Sequence, residues 1–455
     1  MRVSSRDKIV DVCIIGAGPC GISCAITARE QGLSVALVEV GNIYDNRVCY
    51  ADKNDLCHRC RNCNVISGFG GCVHCGDSAK LSYYPSGKEL YKRITDDYDR
   101  LLEKACSLWN VNKSEFEENK IIFYSNEYYI KTYPIRVMNS LEIAKALEKF
   151  WNGIKELGVN YYNSEMVDFV EKDSMIEVHL KSREAIKCSN IVLAMGRRGI
   201  SWLQDNISRK NIPYKLPMSS IGFRFEMPRE ILIPLGKIHP DFKFRMEYNG
   251  YKYKTFCFCG GLHGGRLKFA NHGKYSLLDG HVLTEIDSDS SFANFALMRQ
   301  MIKNGRESSE VISVKDITIK KYISLSNGRP IYQNYKSFKE QTLPESRCKV
   351  SAEWICQGKT YELLNTNIED YCYVAEKVFG VLAEYASCST DYIINNTTVI
   401  GLELEGLWNR IQTDKYFKVN GRNIYVGGDC GGEVQGILQA TIEGIRIAEG
   451  LAHNS

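Results

Sequence analysis

The stretch from Ile9 to Glu39 constrains the fold more than any other part of the chain. Ile9-Val-Asp-Val-Cys-Ile-Ile15 is an apolar, strand-like run that leads straight into Gly16-Ala-Gly-Pro-Cys-Gly21. Ile22 to Gln31 reads as a helix closed by Gly32, and Ser34 to Val38 reads as a second buried strand ending at Glu39. A G-x-G-x-x-G between a strand and a helix is the turn of a dinucleotide-binding βαβ unit. Gly16 permits the tight turn, Gly18 lets backbone approach a pyrophosphate, and Gly21 lets the helix pack on the strand. Pro19 and Cys20 complete the turn, whose N–H groups and positive dipole end face the phosphates. Glu39 lies 18 residues past Gly21, where it is placed to accept hydrogen bonds from ribose hydroxyls.

With 455 residues the chain can bury a large core without disulfides or metals. Its 58 basic and 54 acidic residues are too balanced for an electrostatic grip on nucleic acid, and no nucleic-acid partner is expected. No run approaches the length of a membrane span, so no membrane partner is expected either. The first residues lack a secretory pattern, and the expected location is cytoplasmic. The expected fold class is α/β: a Rossmann-like cofactor domain interrupted by a strand-rich α+β substrate domain. Residues 1–215, including a cysteine-rich segment at 49–76, form the first part of the cofactor domain. Residues 216–390 form the cap, read as strand-rich with no helix–strand alternation of its own. Residues 391–455 return to the cofactor domain.

Two further motifs specify the cofactor. The tail Asn423-Ile-Tyr-Val-Gly-Gly-Asp-Cys-Gly-Gly-Glu-Val-Gln-Gly436 resembles the C-terminal flavin-binding signature of the glutathione-reductase type of FAD fold. By that resemblance Gly428 and Asp429 meet the ribityl chain or a phosphate. Gln435, Gly436 and Ile437, at a helix start, face the pyrimidine end of the flavin. Ile191-Val-Leu-Ala-Met-Gly196 resembles the small-residue crossover strand of the same fold, where Ala194 and Gly196 let the chain pass the cofactor. The expected cofactor is therefore FAD. Disulfide reductases of this fold carry a second G-x-G-x-x-G for a pyridine nucleotide, and only one is present here. Electrons would come from transient NAD(P)H, a protein donor or the substrate itself.

Half of the 18 cysteines fall within the first 75 residues. Cys13, Cys20 and Cys24 belong to the βαβ unit and read as small apolar residues. Cys57, Cys60, Cys63, Cys72 and Cys75 leave three readings open. C-x-x-C pairs can hold zinc, and C-x-x-C-x-x-C is a spacing found in iron–sulfur proteins. Alternatively, Cys72 and Cys75 relay electrons as a dithiol beside the flavin. The third reading is a set of reduced, unliganded thiols.

The order Asn64-Val-Ile-Ser-Gly-Phe-Gly-Gly71, Gly76-Asp-Ser-Ala-Lys80-Leu81 and Thr255-Phe-Cys-Phe-Cys-Gly-Gly261 resembles a poorly characterised group of bacterial FAD-dependent dehydrogenases. That group has small or apolar residues in place of Cys72 and Cys75, Ser-Asp-Gly-Lys in place of Asp-Ser-Ala-Lys, and a proline after its second middle cysteine. The resemblance places Lys80 among the cofactor-binding residues. In the middle region, strand alternation puts Cys257 and Cys259 on one side and Phe256 and Phe258 on the other. The Gly-rich loop after them offers His263 as proton donor or acceptor and Arg266 as a carboxylate or carbonyl clamp. The expected activity is hydride transfer between FAD and a small-molecule organic substrate, either dehydrogenation or C=C reduction. The alternatives are a flavin-linked thiol–disulfide oxidoreductase using Cys72 and Cys75, and a non-enzymatic flavin redox sensor.

Overall fold

The computed structural model describes residues 9–50, 57–73, 76, 78–117, 125–285, 289–301, 303, 310–344, 348–352, 355–364, 367–406 and 408–453. Ile9–Ile15 and Val35–Glu39 pair in parallel, joined by the helix Pro19–Glu30. Val35–Glu39 is buried along its whole length, as a central parallel strand covered on both faces must be. The sheet continues through Asn160–Asn163 on one side and Ala185–Leu193 on the other. The free edge of Ala185–Leu193 is then shared. Its first half pairs antiparallel with Met175–Leu180, and its last three residues pair in parallel with Ile424–Val426. The C-terminal tail thus returns to the first sheet beside the crossover strand.

Close helix contact fastens the tail to the βαβ unit. Ile437–His453 lies against Pro19–Glu30, and Ser23 Oγ donates to Thr441 O at 2.9 Å. A β-carbon on Gly444 would stand 2.1 Å from Cys20 O and from Ser23 Oγ, so only glycine lets these helices approach so closely. Cys13, Cys20 and Cys24 are buried in this region and pack as small apolar side chains. The helix Ser140–Glu156 is started by Asn139, whose side chain accepts from Glu142 N while Glu142 reaches back to the Asn139 N–H.

The second sheet has eight strands, running Cys356–Gln357, Ile331–Asn334, Thr398–Glu405, Ser220–Pro228, Phe292–Gln300, Tyr251–Cys259, Lys243–Tyr248 and Tyr128–Lys131. It reaches past the expected limits of 216–390 at both ends. Tyr128–Lys131 forms one edge, and Thr398–Glu405 lies between Ile331–Asn334 and Ser220–Pro228. The unit is also more helical than its turn-rich sequence suggested. Arg229–Ile238 and Ile368–Ala386 supply Leu232, Leu235, Val374, Phe379 and Leu382 to the sheet's apolar core. A separate hairpin, Gly265–Asn271 with Ser276–Val282, completes the region around the candidate site. Among the described residues no helix is long and apolar enough to cross a membrane.

Candidate functional site

A cleft of about 830 Å³ runs past the first sheet, the tail and the second sheet. At one end Gly16, Gly18, Pro19, Cys20 and Glu39 line it. Gly16 has φ +105°, and a β-carbon there would sit 2.3 Å from Ala194 O. Gly21 does not line the cleft. Its own β-carbon would be 1.8 Å from Gly16 O, so its absence of a side chain serves helix packing. Gly18 differs from both. The nearest atom to a β-carbon there is Gly71 Cα at 3.7 Å, and its φ of −81° suits any residue. A β-carbon at Gly18 would therefore make only an ordinary contact. The helix beginning at Pro19 has no side-chain cap, which leaves its first N–H groups available to an anion.

Glu39 holds the protein's own backbone. Its Oε2 accepts from Ala17 N at 2.8 Å, and its Oε1 accepts from Gly41 N and Gly68 N, each at 2.9 Å. Spacing in the sequence suggested only a ribose contact, because Gly68 comes near Glu39 only through the fold. Arg47, which the sequence did not single out, organises the same loop. Its guanidinium donates to Phe69 O and Val73 O at 2.9 Å, to Asn64 O at 2.5 Å and to Gly71 O. Together these two side chains press Gly68–Gly71 against the phosphate turn, where Gly70 N donates to Ala17 O at 2.7 Å. Replacing Glu39 with Gln should destabilise the flavin-free protein by about 1.5–3 kcal/mol, the usual worth of a hydrogen bond to a charged group. Urea denaturation of the apoprotein measures this. A purely ribose-binding Glu39 would leave the apoprotein unchanged.

Ala194, Gly196, Gly428, Asp429, Gln435, Gly436 and Ile437 line the same cleft farther along. Asp429 faces Arg197 Nε at 3.6 Å, and Arg197 Nη1 bonds Asp279 at 3.1 Å. Burial pushes the Asp429 carboxyl up, and Arg197 pulls it back. Lys80 also lines the cleft, but its ammonium is engaged by Asp241 Oδ1 at 3.2 Å and by Phe258 O. Burial opposes the charge on Lys80, and Asp241 with the neighbouring thiols holds it protonated.

The remaining wall comes from the second sheet and is strongly basic. Lys131, Lys243, Arg245 and Lys254 line it, and Lys88 joins them from the first unit. Three carboxylates partly offset them: Asp241, 3.5 Å from Lys243, Glu405, paired with Lys254, and Glu403, paired with Arg224. The buried Arg245 Nε has no hydrogen-bond partner. Burial, followed by repulsion from Arg245, Lys243, Lys88 and Lys254, lowers Lys131 to about 8. The sequence hid this rim because its members come from strands at 128–131, 243–248 and 251–259, which meet only as neighbours in the sheet.

His263 and Arg266 are not brought to the cleft lining. His263 Nδ1 lies 2.7 Å from Asp289 Oδ1 on the hairpin loop, and Arg266 Nη2 donates to Gly76 O at 2.6 Å. The histidines that do line the cleft are His272 and His281. Burial and then Arg197 and Arg198 lower His272 to about 3, so its imidazole is neutral at working pH.

The cysteine cluster is divided: Cys57 stays within electrostatic reach of Cys60 and Cys63, while Cys72 lies in the cleft. Cys63 is buried against Val65, Ile66 and Ala270, with its sulfur 3.5 Å from Asn271 N. Cys57 packs beside another apolar group that includes Leu267 and Phe269. Cys72 instead opens onto the cleft, where burial of the site and then Asp429 push its thiol up to about 11. The Cys60 carbonyl accepts from Asn271 Nδ2 at 2.9 Å, and Cys75 lies outside the described residues. Among the described residues no group of three or more His, Cys, Asp or Glu is placed to hold a metal ion. The zinc and iron–sulfur expectations are thus left without support, because packing draws Cys63 into an apolar pocket and Cys72 to a different surface.

A family model described as pyridine nucleotide-disulphide oxidoreductase matches residues 10–125, which contain the βαβ unit and the glycine-rich loop. No curated protein matches the chain. Among solved structures, the chain is similar to 2,6-dihydroxypyridine-3-hydroxylase from Arthrobacter nicotinovorans, at 9% identity over 99% of this chain and 85% of the other, with a TM-score of 0.43. It is also similar to the flavin-dependent brominase Bmp2, at 13% identity over 98% and 79% of the two chains and a TM-score of 0.41. A third is CtdE in complex with FAD and substrate 4, at 11% identity over 98% and 81% of the two chains and a TM-score of 0.40.

Proposed function

We propose that the protein is an FAD-dependent oxidoreductase of the glutathione-reductase type, which transfers hydride between flavin and an organic substrate carrying an anionic group. The observation that supports this most is convergence. Gly16, Gly18–Cys20, Glu39, Ala194–Gly196, Gly428, Asp429 and Gln435–Ile437 are remote in sequence and line one cleft. The space over Gly18 fits a pyrophosphate there, since a β-carbon would meet nothing nearer than Gly71 Cα at 3.7 Å. FAD, when bound, supplies a two-electron carrier that the side chains lack.

The chain's own residues would hold, orient and shield. The N–H groups at Gly18 and the start of Pro19–Glu30 would bind the phosphates, and Glu39, already a backbone clamp, would accept from ribose. Asp429 would meet the ribityl chain, and the helix start at Gly436 and Ile437 would stabilise negative charge on the pyrimidine end. Lys131, Lys243, Arg245 and Lys254 would anchor a carboxylate-bearing substrate. Lys131 Nζ, held near 8, gives that rim a proton that exchanges near neutral pH.

The test is anaerobic mixing of the FAD-loaded protein with NADH, NADPH and a panel of organic acids and uncharged analogues. Bleaching of the flavin by members of the acid panel, or reoxidation of reduced flavin by their unsaturated counterparts, supports the reading. Activity confined to uncharged compounds contradicts the anionic substrate. The rim also predicts a pH effect with a definite sign. Lys131 is charged below about 8 and neutral above it. Binding of a dicarboxylate such as succinate should therefore weaken as pH rises through 8, and Lys131→Met should remove that inflection. Titrating the dissociation constant against pH reads both.

A further inference from the structure

We propose that Cys257 and Cys259 are a redox-active pair in the cleft wall, closing to a disulfide and reopening, and that in the flavin-bound protein they exchange two electrons with the cofactor. The second half rests on the FAD reading above; the first half does not. A regular strand would place Phe256 and Phe258 together on the opposite side, but here the strand bulges. Its register against Phe292–Gln300 shifts between Phe256 and Cys259, and Cys257 has φ +47°, a left-handed conformation that glycine adopts far more readily. Phe256 turns to the cleft while Phe258 enters the core of the second sheet.

The bulge leaves the two sulfurs 3.9 Å apart. A disulfide requires about 2.05 Å, so side-chain rotation and a small backbone adjustment separate the two states. The two thiols are unequal. Cys257 lines the cleft and is partly accessible, whereas Cys259 is fully buried behind it. That is the asymmetry of an attacking and a resolving thiol. Cations surround the pair. Arg224 Nη1 donates to Cys257 O at 3.3 Å, and Lys80 Nζ donates to the carbonyl of the intervening Phe258. Hydrogen bonding from Cys259, with help from Arg224 and Lys80, draws the Cys257 thiol down, against burial and the Asp279 carboxylate 3.9 Å away.

The chemistry balances with oxidised flavin as acceptor. Two S–H bonds break and one S–S bond forms; the two thiols lose two electrons and two protons, and the acceptor gains both electrons and both protons. With a disulfide of the glutathione class, Cys257 thiolate attacks one sulfur and releases one thiolate. Cys259 then attacks Cys257 and releases the second, and the two protons leave with the released thiols.

The first arm uses flavin-free protein. Oxidised glutathione, followed by iodoacetamide and peptide mass analysis, should show Cys257 and Cys259 joined and unalkylated, and dithiothreitol should reopen both to alkylation. A glutathione adduct that persists on Cys257, or two thiols that stay alkylatable in folded protein, overturns the pair. The second arm uses FAD-loaded protein. Anaerobic reductive titration should consume two electrons per chain more in the wild type than in Cys259→Ser at equal flavin content. Equal uptake overturns the exchange with flavin. Flavin content, read on the same samples, reports separately on the cofactor reading.

Discussion

Gly18→Ala should give a folded protein that has lost its flavin. The added β-carbon meets only ordinary contact, 3.7 Å from Gly71 Cα, and the backbone there is extended. Alanine is a poorer helix cap than glycine, which costs stability on the order of 1 kcal/mol or less. The same methyl group projects into the cleft where a pyrophosphate must approach the backbone. The expected loss in FAD affinity is roughly a hundredfold, or about 2.8 kcal/mol. Gly21→Ala should behave in the opposite way. Its β-carbon would stand 1.8 Å from Gly16 O and cannot be accommodated without moving the helix. It should lower stability by about 1–3 kcal/mol even without flavin. Urea denaturation and FAD titration of both variants separate a cofactor-binding glycine from a packing glycine three residues away.

The second large effect is in the second sheet. Arg224 and Glu403 are almost entirely excluded from solvent, with side-chain exposures of 0% and 3%. Arg224 Nε and Nη2 each donate to Glu403 at 2.8 Å, and Nη1 donates to Asn294 Oδ1 at 2.6 Å. Burial pushes the Glu403 carboxyl up, and Arg224 pulls it back down. Breaking such a pair leaves a buried group without its partner, so Arg224→Met should cost about 3–5 kcal/mol. Arg224→Met with Glu403→Leu should recover most of that loss, because two apolar side chains leave no orphaned charge. Only the small terms from Asn294 and the Cys257 carbonyl, which also lose Arg224, should remain. Denaturation midpoints of the single and double variants, compared at equal slope, check the coupling. A double variant no more stable than the single one would mean that Glu403 is not the source of the cost.

The parts of the fold written in local pattern were legible in the sequence. The run Ile9–Ile15, the glycine turn and the helix to Glu30 announce themselves through apolar periodicity and the glycines between them. Long-range pairing was not legible. Nothing around Thr398–Glu405 says that it lies between strands ending at 334 and starting at 220, so the end of the middle unit was drawn too early. Ile368–Ala386 was missed because its tyrosines and valines read as strand residues, although tertiary burial makes them a helix.

The site divides along the same line. Gly16, Gly18, Ala194 and Asp429 carry glycine-turn or small-residue signatures and were visible. Arg47 was not, because its partners are carbonyls, which every residue type shares. His263 looked attractive because glycines flank it, but those glycines serve a hairpin loop whose histidine meets Asp289. The cysteine spacing suggested a metal because proximity in sequence was read as proximity of sulfurs. In the fold, Cys63 and Cys72 face different surroundings. The pair with its sulfurs close together, Cys257 and Cys259, owes that closeness to a bulge that strand alternation does not predict.

If this cleft is a flavin site, the protein must retain FAD in a fixed ratio. The most direct measurement is the stoichiometry of FAD in the purified, FAD-reconstituted protein after gel filtration, with the flavin released by denaturation and identified by mass. One FAD per chain is expected in the wild type and little in Gly18→Ala, with both proteins equally folded. Failure of the folded wild type to retain FAD, or equal retention by the two, would contradict a flavin site here.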